Sequence, residues 1–369
     1  MGQGKITVIL GAGFSRNIGV PTQDAFLEQL IKPCDWLTGP EKKIDEEITK
    51  RIREFLNTVF FWSEEGALPT LESVFTFIDL SAENGHNLGK DYYPGKLRAV
   101  RRFLIYKIFT ILDKTYAEST DGEAYINGFI QYMGSTANYI TLNWDIVLEK
   151  FLARSSLIVD YGINTQQIMV GAGRVKLCGS GRPLDDAVNV AKIHGSSNWV
   201  YCDNCKTLFY DLDEKVAKRV YAGIYVEDIK RFYLPGKTPN DLKEVIREYA
   251  SLKECPTCKC SLGTHIATFS YRKSFRTNYF SNAWNSAEQY LSEAKKWIFV
   301  GYSLPDADFE FKHILKCAQM RGATPKEIHV VVKSDIEAAK RFVTTFGKQN
   351  VQCFQEGLGA YTKDIGAKP

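Results

Sequence analysis

Three polar residues follow β-rich stretches of this sequence and could take part in catalysis. Asn143 and Asp145 come after the stretch 138–142, and His194 comes directly after 190–193. A histidine can act as a general base near neutral pH, and an asparagine amide can orient a water or a hydroxyl group. Each residue also has a structural interpretation, because histidines are often hydrogen-bonded core residues and Asn and Asp favour strand ends and turns. The residue types alone leave both interpretations open.

A glycine loop near the start of the chain could bind a phosphate group. The loop Gly11-Ala12-Gly13 follows a β-rich stretch at 5–10 and precedes a helix-compatible stretch at 22–31. Glycines allow the backbone to approach a pyrophosphate, and a helix N-terminus favours its negative charge. The full G-x-G-x-x-G fingerprint is absent, since Arg16 occupies the position of the third glycine. The loop therefore indicates either a dinucleotide site or a tight strand–helix turn.

Two Cys-x-x-Cys pairs are typical of a metal site. Cys202 and Cys205 form one pair, and Cys255 and Cys258 form the other. Four thiolates bind structural zinc tetrahedrally and leave no open position for catalysis. The long stretch between the pairs exceeds the usual zinc-ribbon spacing, so the intervening segment must fold to bring them together, and unliganded thiols are the alternative. Nearby residues that could replace a ligand are Cys260 and His265, and the cysteines without partner spacing are Cys34, Cys178, Cys317 and Cys353.

The apolar pattern predicts an α/β fold around these positions. Strands are predicted at 5–10, 138–142, 190–193, 297–300 and 328–332, with helices between them, as an α/β sheet requires. Helical spacing dominates 36–135, and Ser334 with Glu337 has the form of a capping box that opens a helix. Asp306 and Asp308 follow a proline and are interpreted as caps of the next helix, so we leave them out of the predicted catalytic set.

Four short motifs, read in order, resemble those of the sirtuin family. They are Gly11-Ala12-Gly13-Phe14-Ser15 with Gly19-Val20-Pro21, Thr141-Leu142-Asn143-Trp144-Asp145, Ile193-His194-Gly195-Ser196 and Gly301-Tyr302-Ser303-Leu304. The cysteine pairs also follow the His-Gly motif, where sirtuins carry zinc. The resemblance covers roughly residues 5 to 310, with 36–135 matching only as a helical insertion. The motif forms are more similar to divergent bacterial Sir2-like proteins than to the histone-deacylating sirtuins.

This resemblance implies a Rossmann-like parallel sheet with helices on both faces, a helical insertion and a small zinc-binding module. The NAD-binding core would consist of 1–35, 136–200 and 263–369, the mainly helical insertion of 36–135, and the four-cysteine zinc module of 201–262. The resemblance also implies NAD as the substrate and structural Zn2+ at the paired cysteines.

The same resemblance assigns roles to individual residues. His194 would be the general base, and Asn143 would orient the water or the ribose. Asp145 and Ser15 would line the pocket for the nicotinamide carboxamide. The predicted NAD-binding residues are Gly11, Ala12, Gly13, Ser15, Pro21, Asp145, Gly301 and Ser303, of which the last two would contact the adenosine side.

One departure from the family pattern bears on the reaction. Deacylating sirtuins continue the Gly-x-Pro stretch into a Phe-Arg pair that helps orient the nicotinamide ribose, whereas Gln23 and Asp24 occupy those positions here. The resemblance therefore favours an NAD+ hydrolase that uses water as the acceptor and gives nicotinamide and ADP-ribose, with a role in bacterial antiviral defence. The alternatives are an NAD-dependent protein deacylase and a non-catalytic sensor of NAD or ADP-ribose.

Composition argues against several classes of partner. The 47 basic and 43 acidic residues give a net charge of +4, and no block of like charge marks a nucleic-acid or membrane patch. No apolar run approaches ~18 residues, and the start of the chain lacks the features of a signal peptide, so we expect a cytoplasmic protein with reduced thiols.

The expected small-molecule partner is NAD, and a homo-oligomer or a separately encoded partner protein is compatible with the sequence.

Overall fold

The structure is a computed structural model that describes residues 5–115, 122–162, 165–171, 174–177, 187–211, 226–244, 254–266, 278–321 and 326–366. The strands are β1 Ile6–Leu10, β2 Ala137–Thr141, β3 Ile158–Asp160, β4 Thr165–Gly171, β5 Arg174–Leu177, β6 Ala187–Lys192, β7 Gly195–Cys202, β8 Thr207–Tyr210, β9 Leu262–Ile266, β10 Lys296–Val300, β11 Glu327–Val331 and β12 Val351–Phe354. The helices are Ala12–Ser15, Gln23–Leu30, Gly39–Phe60, Leu71–Asn84, Pro94–Thr115, Gly122–Met133, Val147–Arg154, Val226–Lys230, Asn278–Glu293, Phe309–Arg321, Ile336–Phe346 and Leu358–Asp364. Cys178 and the side chains of Gln23, Asp24 and His265 lie outside what the structure describes.

The main sheet has seven strands in the order β12-β11-β10-β1-β2-β6-β3. Every pairing in it is parallel. Central β1 is apolar and buried on both faces, with Val8, Ile9 and Leu10 fully buried, as expected for a parallel strand covered by helices. The predicted α/β fold with a parallel sheet is therefore confirmed.

The strand order places the candidate residues along one edge of this sheet. Leu10 at the end of β1 lies opposite Thr141 of β2 and Val300 of β10, and Thr141 lies opposite Lys192 of β6. Because the strands are parallel, their carboxyl ends meet at the same edge. The chain leaves β1 toward β2 and later returns to the other side of β1 as β10. Such a reversal of strand order opens the crevice in which doubly wound sheets bind ligands.

Four long helices lie between β1 and β2 in the chain, where helical spacing is predicted. The helix Gly39–Phe60 buries Ile44, Ile48, Ile52 and Phe55, which recur at helical spacing and form one apolar face. None of the described helices is long and apolar enough to cross a membrane.

The helix Ile336–Phe346 begins differently from the prediction. Its N-cap is Asp335, whose side chain accepts a hydrogen bond from the Ala338 N–H at 2.8 Å. Ser334 has a positive φ of 56°, which turns it out of the helix. The predicted capping box from Ser334 to Glu337 is therefore wrong, because the carboxylate of the next residue satisfies the free N–H group.

A second sheet connects His194 to the cysteine pairs. Its order is β5-β4-β8-β7-β9, and β7 starts one residue after His194 and ends at Cys202. Strands β8 and β9 both pair with β7 in antiparallel fashion, and β4 runs parallel to β8. The cysteine segment thus shares a sheet with strands that precede residue 201, and the division of the chain into three parts stays a prediction.

Candidate active site

Three glycines allow a close contact between the ends of β1 and β10. The Gly11 N–H donates to the Val300 carbonyl at 3.0 Å, and the Gly13 N–H donates to the Gly301 carbonyl at 2.9 Å. A Cβ on Gly11 would lie 2.6 Å from the Gly301 carbonyl oxygen, and a Cβ on Gly13 would lie 2.6 Å from the Gly301 Cα. Gly301 also has a φ of +63°, a conformation that favours glycine. Backbone packing alone requires these glycines, so phosphate binding by the loop stays a prediction.

The helix predicted at 22–31 corresponds to Gln23–Leu30, but a short helical turn lies between it and the loop. This turn, Ala12–Ser15, has 4 residues, and a 3-10 turn over Arg16–Ile18 follows it. Because few peptide units are aligned directly after the loop, their dipole contribution there is small.

Asn143 ties the segment after β2 to the glycine loop. Its Nδ2 donates to the Gly11 carbonyl at 3.0 Å and to the Ser15 hydroxyl oxygen at 3.1 Å. Ser15 is fully buried, and its side chain is hydrogen-bonded in turn to the carboxylate of Asp145. The structure therefore brings together Gly11, Ser15, Asn143 and Asp145, all of which the sequence assigned to the site.

Asp145 is buried behind Ser15. Burial raises the pKa of Asp145 above its ordinary value, and the Lys192 ammonium, the Val147 N–H and the Ser15 hydrogen bond act in the opposite direction. The Val147 N–H donates to its Oδ1 at 3.1 Å. These contacts hold the carboxylate in place, so the two residues predicted to line the nicotinamide pocket lie against each other.

A buried lysine beside the site was missed by the sequence reasoning. Lys192 is fully buried, and its Nζ donates to the Asp145 backbone carbonyl at 2.6 Å and to Glu149 Oε1 at 2.7 Å. The Tyr161 hydroxyl donates to the same Glu149 oxygen at 3.2 Å. A lysine at the end of an apolar strand and the four-residue spacing of Asp145 and Glu149 are the signals that could have revealed this network.

His194 is 7% exposed, and the backbone just after β2 orients its ring. Its Nδ1 lies 3.2 Å from the Leu142 carbonyl oxygen. A carbonyl can only accept, so Nδ1 carries the proton and Nε2 is the nitrogen that can take one up. Leu142 immediately precedes Asn143, and one short backbone segment therefore positions both predicted catalytic residues.

Asp308 faces His194, although it was left out of the predicted site. Its Oδ1 lies 3.8 Å from His194 Nε2, and its Oδ2 accepts a hydrogen bond from the Tyr302 hydroxyl at 3.1 Å. Asp306, two residues earlier, instead has an exposed carboxylate that pairs with Lys312 at 2.7 Å. The helix-cap interpretation overlooks this difference, because sequence does not reveal which of two neighbouring carboxylates is buried.

The structure gives other surroundings for two residues of the predicted NAD-binding set. The Ser303 carbonyl accepts a hydrogen bond from Arg341 Nε at 2.8 Å. Pro21 precedes the helix Gln23–Leu30. The contacts of Ser303 and Pro21 with the dinucleotide stay predictions.

The two cysteine pairs meet in space. The Sγ atoms of Cys202, Cys205, Cys255 and Cys258 lie within 4.8 Å of one another. Cys202 and Cys258 are 3.4 Å apart, and Cys205 and Cys255 are 3.7 Å apart. Tetrahedral zinc with Zn–S bonds of about 2.3 Å requires Sγ separations of about 3.8 Å, so the cluster fits this metal. Cys202 lies opposite Leu262 in the β7–β9 pairing, and this pairing closes the long stretch between the cysteine pairs.

Sequence comparisons return no relative. No protein-family model matches the chain, and no curated protein matches it.

Several solved structures are similar to the chain over nearly its full length. Sir2 with a p53 peptide and NAD+ is 14% identical, with 98% of this chain and 91% of that chain covered and a TM-score of 0.41. Sir2 with an inhibitor, 2'-O-acetyl-ADP-ribose and a deacetylated p53 peptide is 12% identical, with 98% and 92% covered and a TM-score of 0.39. A Sir2 homologue mutant with 2'-O-acetyl-ADP-ribose is 16% identical, with 98% and 91% covered and a TM-score of 0.39.

The chain is similar to Sir2 structures. This is the family that its motifs resemble.

Proposed function

We propose that this protein binds NAD in the crevice at the carboxyl ends of β1, β2 and β10 and hydrolyses the nicotinamide–ribosyl bond. One set of contacts carries the proposal. His194 is hydrogen-bonded to the Leu142 backbone, and Asn143, which follows Leu142, is hydrogen-bonded to Gly11 and Ser15. A general base, an amide and a glycine loop thus meet where doubly wound sheets bind ligands.

The residue types suit this reaction. Nicotinamide leaves as a neutral base from a cationic pyridinium, so its bond to the ribose C1′ breaks with little acid catalysis. The electron pair departs with nicotinamide, and the oxocarbenium-like C1′ accepts the oxygen of a water. His194 Nε2 takes the proton from that water and later releases it to solvent. The products are nicotinamide, ADP-ribose and a proton.

Asn143 is proposed to orient the reacting groups. Its Nδ2 is engaged by Gly11 and Ser15, so its amide oxygen is the atom that can accept a hydrogen bond from the water or from a ribose hydroxyl. Holding water and ribose in a fixed geometry lowers the barrier, because less translational and rotational freedom is lost at the transition state.

Water is the proposed acceptor because Gln23 and Asp24 stand where deacylating sirtuins carry the Phe-Arg pair. In a bacterial cell, hydrolysis of this kind would deplete NAD, and we propose antiviral defence as the role that the family resemblance favours.

We also propose that the four-cysteine cluster holds zinc in a structural role. Four thiolates complete a tetrahedral shell and leave no position for a substrate. The metal would stabilise the connection from β7, which starts one residue after His194, to β9.

The test is to incubate purified protein with NAD and to follow free nicotinamide by chromatography, with and without candidate activators. We expect the wild type to release nicotinamide and His194→Ala to lower the rate by about 100-fold or more. His313→Ala is the matched control, because His313 is an exposed histidine, and it should retain the wild-type rate. Equal release by the wild type and His194→Ala under every condition would overturn the proposal.

The same assay separates the alternatives. NAD consumption that requires an acylated peptide would select a protein deacylase. Tight binding of NAD without turnover, unchanged by His194→Ala, would select a sensor.

A further inference from the structure

A carboxylate lies between a buried tyrosine and the proposed base. Asp308 is 8% exposed, Tyr302 is 4% exposed and His194 is 7% exposed. One oxygen of Asp308 accepts the Tyr302 hydrogen bond at 3.1 Å, and the other lies 3.8 Å from His194 Nε2. The three side chains therefore form a buried row from the end of β10 to the end of β6.

The position of the tyrosine is set by its packing. Its ring stacks on Phe299 with centroids 6.3 Å apart and meets Phe311 edge-on at 5.8 Å. Burial, followed by the nearby Asp308 charge, raises the pKa of Tyr302 well above its ordinary value. Tyr302 therefore remains a protonated donor at neutral pH, and it can hold the Asp308 carboxylate in one orientation.

The backbone also fixes this carboxylate. The Asp308 N–H donates to the Pro305 carbonyl at 3.2 Å, which closes the 3-10 turn Asp306–Asp308. Asp306 lies in the same turn with a 94% exposed side chain and pairs with Lys312. The turn therefore directs one carboxylate toward solvent and the other toward His194.

We propose that Asp308, held by Tyr302, is a positioning residue that orients His194 and stabilises its protonated form. The inference rests on the proposed hydrolysis for its catalytic consequence, because the imidazole becomes charged when it takes the proton from water. A carboxylate close to Nε2 favours that charge. Buried charged side chains on the segments beside His194 include Lys192, Asp145 and Glu149, and the lysine donates to the Asp145 carbonyl and to Glu149. On the segment of Asp308, Asp306 pairs with Lys312.

The first test measures His194 directly and needs no turnover. In protein labelled at histidine, the imidazole of His194 is titrated by NMR and identified by its loss in His194→Gln. Asp308→Asn keeps the shape but removes the charge, and we expect it to move the titration midpoint to lower pH by about one unit. Asp306→Asn, the matched control, should leave the midpoint unchanged. An unchanged midpoint in Asp308→Asn would overturn the inference.

The second test follows nicotinamide release. Tyr302→Phe keeps the carboxylate but removes its hydrogen bond, and we expect kcat to fall about tenfold, the loss of a hydrogen bond to a charged group, with KM for NAD unchanged. An unaltered kcat in Tyr302→Phe would remove the positioning role even if Asp308→Asn did not fold. If the wild type released no nicotinamide, the proposed hydrolysis would fail, and the NMR titration would still decide whether Asp308 acts on His194.

Discussion

Lys192 donates a hydrogen bond from its buried ammonium to the backbone carbonyl of Asp145, with the two atoms 2.6 Å apart. The same ammonium pairs with Glu149 at 2.7 Å. One charge on β6 therefore holds both the segment after β2 and the helix Val147–Arg154. Because His194 lies two residues after Lys192, the end of β6 carries both the proposed base and the ammonium that contacts Asp145 and Glu149.

Replacing Lys192 by methionine is expected to lower the free energy of unfolding by about 3–5 kcal/mol, because the buried Glu149 loses its charged partner. Urea unfolding measures the change. Lys295→Met is the control, since Lys295 is exposed, and its effect should stay within about 0.5 kcal/mol. Adding Glu149→Gln to K192M should recover part of the loss. Equal stability of the two lysine variants would show that the ion pair contributes nothing.

Gly301→Ala tests whether the close backbone contact between the ends of β1 and β10 requires glycine at position 301. A Cβ at Gly301 would run into the backbone of Gly13 and Phe14. Gly85 has a similar φ of +74° with nothing within 4 Å of its Cβ position, so Gly85→Ala isolates the conformational cost of about 1–2 kcal/mol. We expect Gly301→Ala to cost clearly more in thermal or urea unfolding. Similar losses in the two variants would contradict the contact.

Zinc content tests the cysteine cluster. We expect about one zinc per chain by elemental analysis, and loss of the metal in Cys202→Ser, whose thiol is buried in the cluster. Cys260→Ser is the neighbouring control, because Cys260 is exposed and lies outside the group of four, and it should keep the metal. Metal retention in Cys202→Ser together with loss in Cys260→Ser would assign the ligand to Cys260 instead.

Stability should fall below neutral pH because of His329. Its Nδ1 lies 2.9 Å from the Tyr361 hydroxyl, and burial, with a smaller effect from Lys296, lowers the pKa of His329 below its ordinary value. The unfolded chain therefore binds this proton first as the pH falls through about 6.5, and the free energy of unfolding decreases.

We expect His329→Gln to flatten this dependence between about pH 7 and pH 5 in urea unfolding. The exposed His86 provides the control, and His86→Gln should preserve the wild-type slope. A slope in His329→Gln as steep as that of the wild type would assign the effect to another group.

Much of the fold could be predicted because its elements have local causes. The apolar run before the glycine loop forms β1, and the stretch before Asn143 forms β2, within one or two residues of the prediction. The cap of the helix Ile336–Phe346 was wrong by one residue, because Ser334 and Asp335 are both good capping residues and only the backbone angle of Ser334 excludes it.

The candidate site was predicted in part. Motif order pointed to Asn143 and His194, and the structure joins them through adjacent backbone. Lys192 was not singled out and Asp308 was interpreted as a helix cap, because charged residues are usually solvated and the burial of these two depends on contacts between distant segments. The roles of the predicted NAD-binding residues stay predictions until nicotinamide release is measured.

The residue order of this chain is enough to predict an α/β fold, a helical region and four candidate zinc ligands, since periodicity and spacing are short-range properties, and the motif resemblance adds the parallel sheet. It does not show that Asp308 rather than Asp306 faces His194, or how the distant cysteine pairs meet. Those outcomes depend on burial and strand pairing between segments far apart in the chain. The carboxylate is directed inward by a turn packed behind Tyr302, and the cysteines converge because β9 pairs with β7.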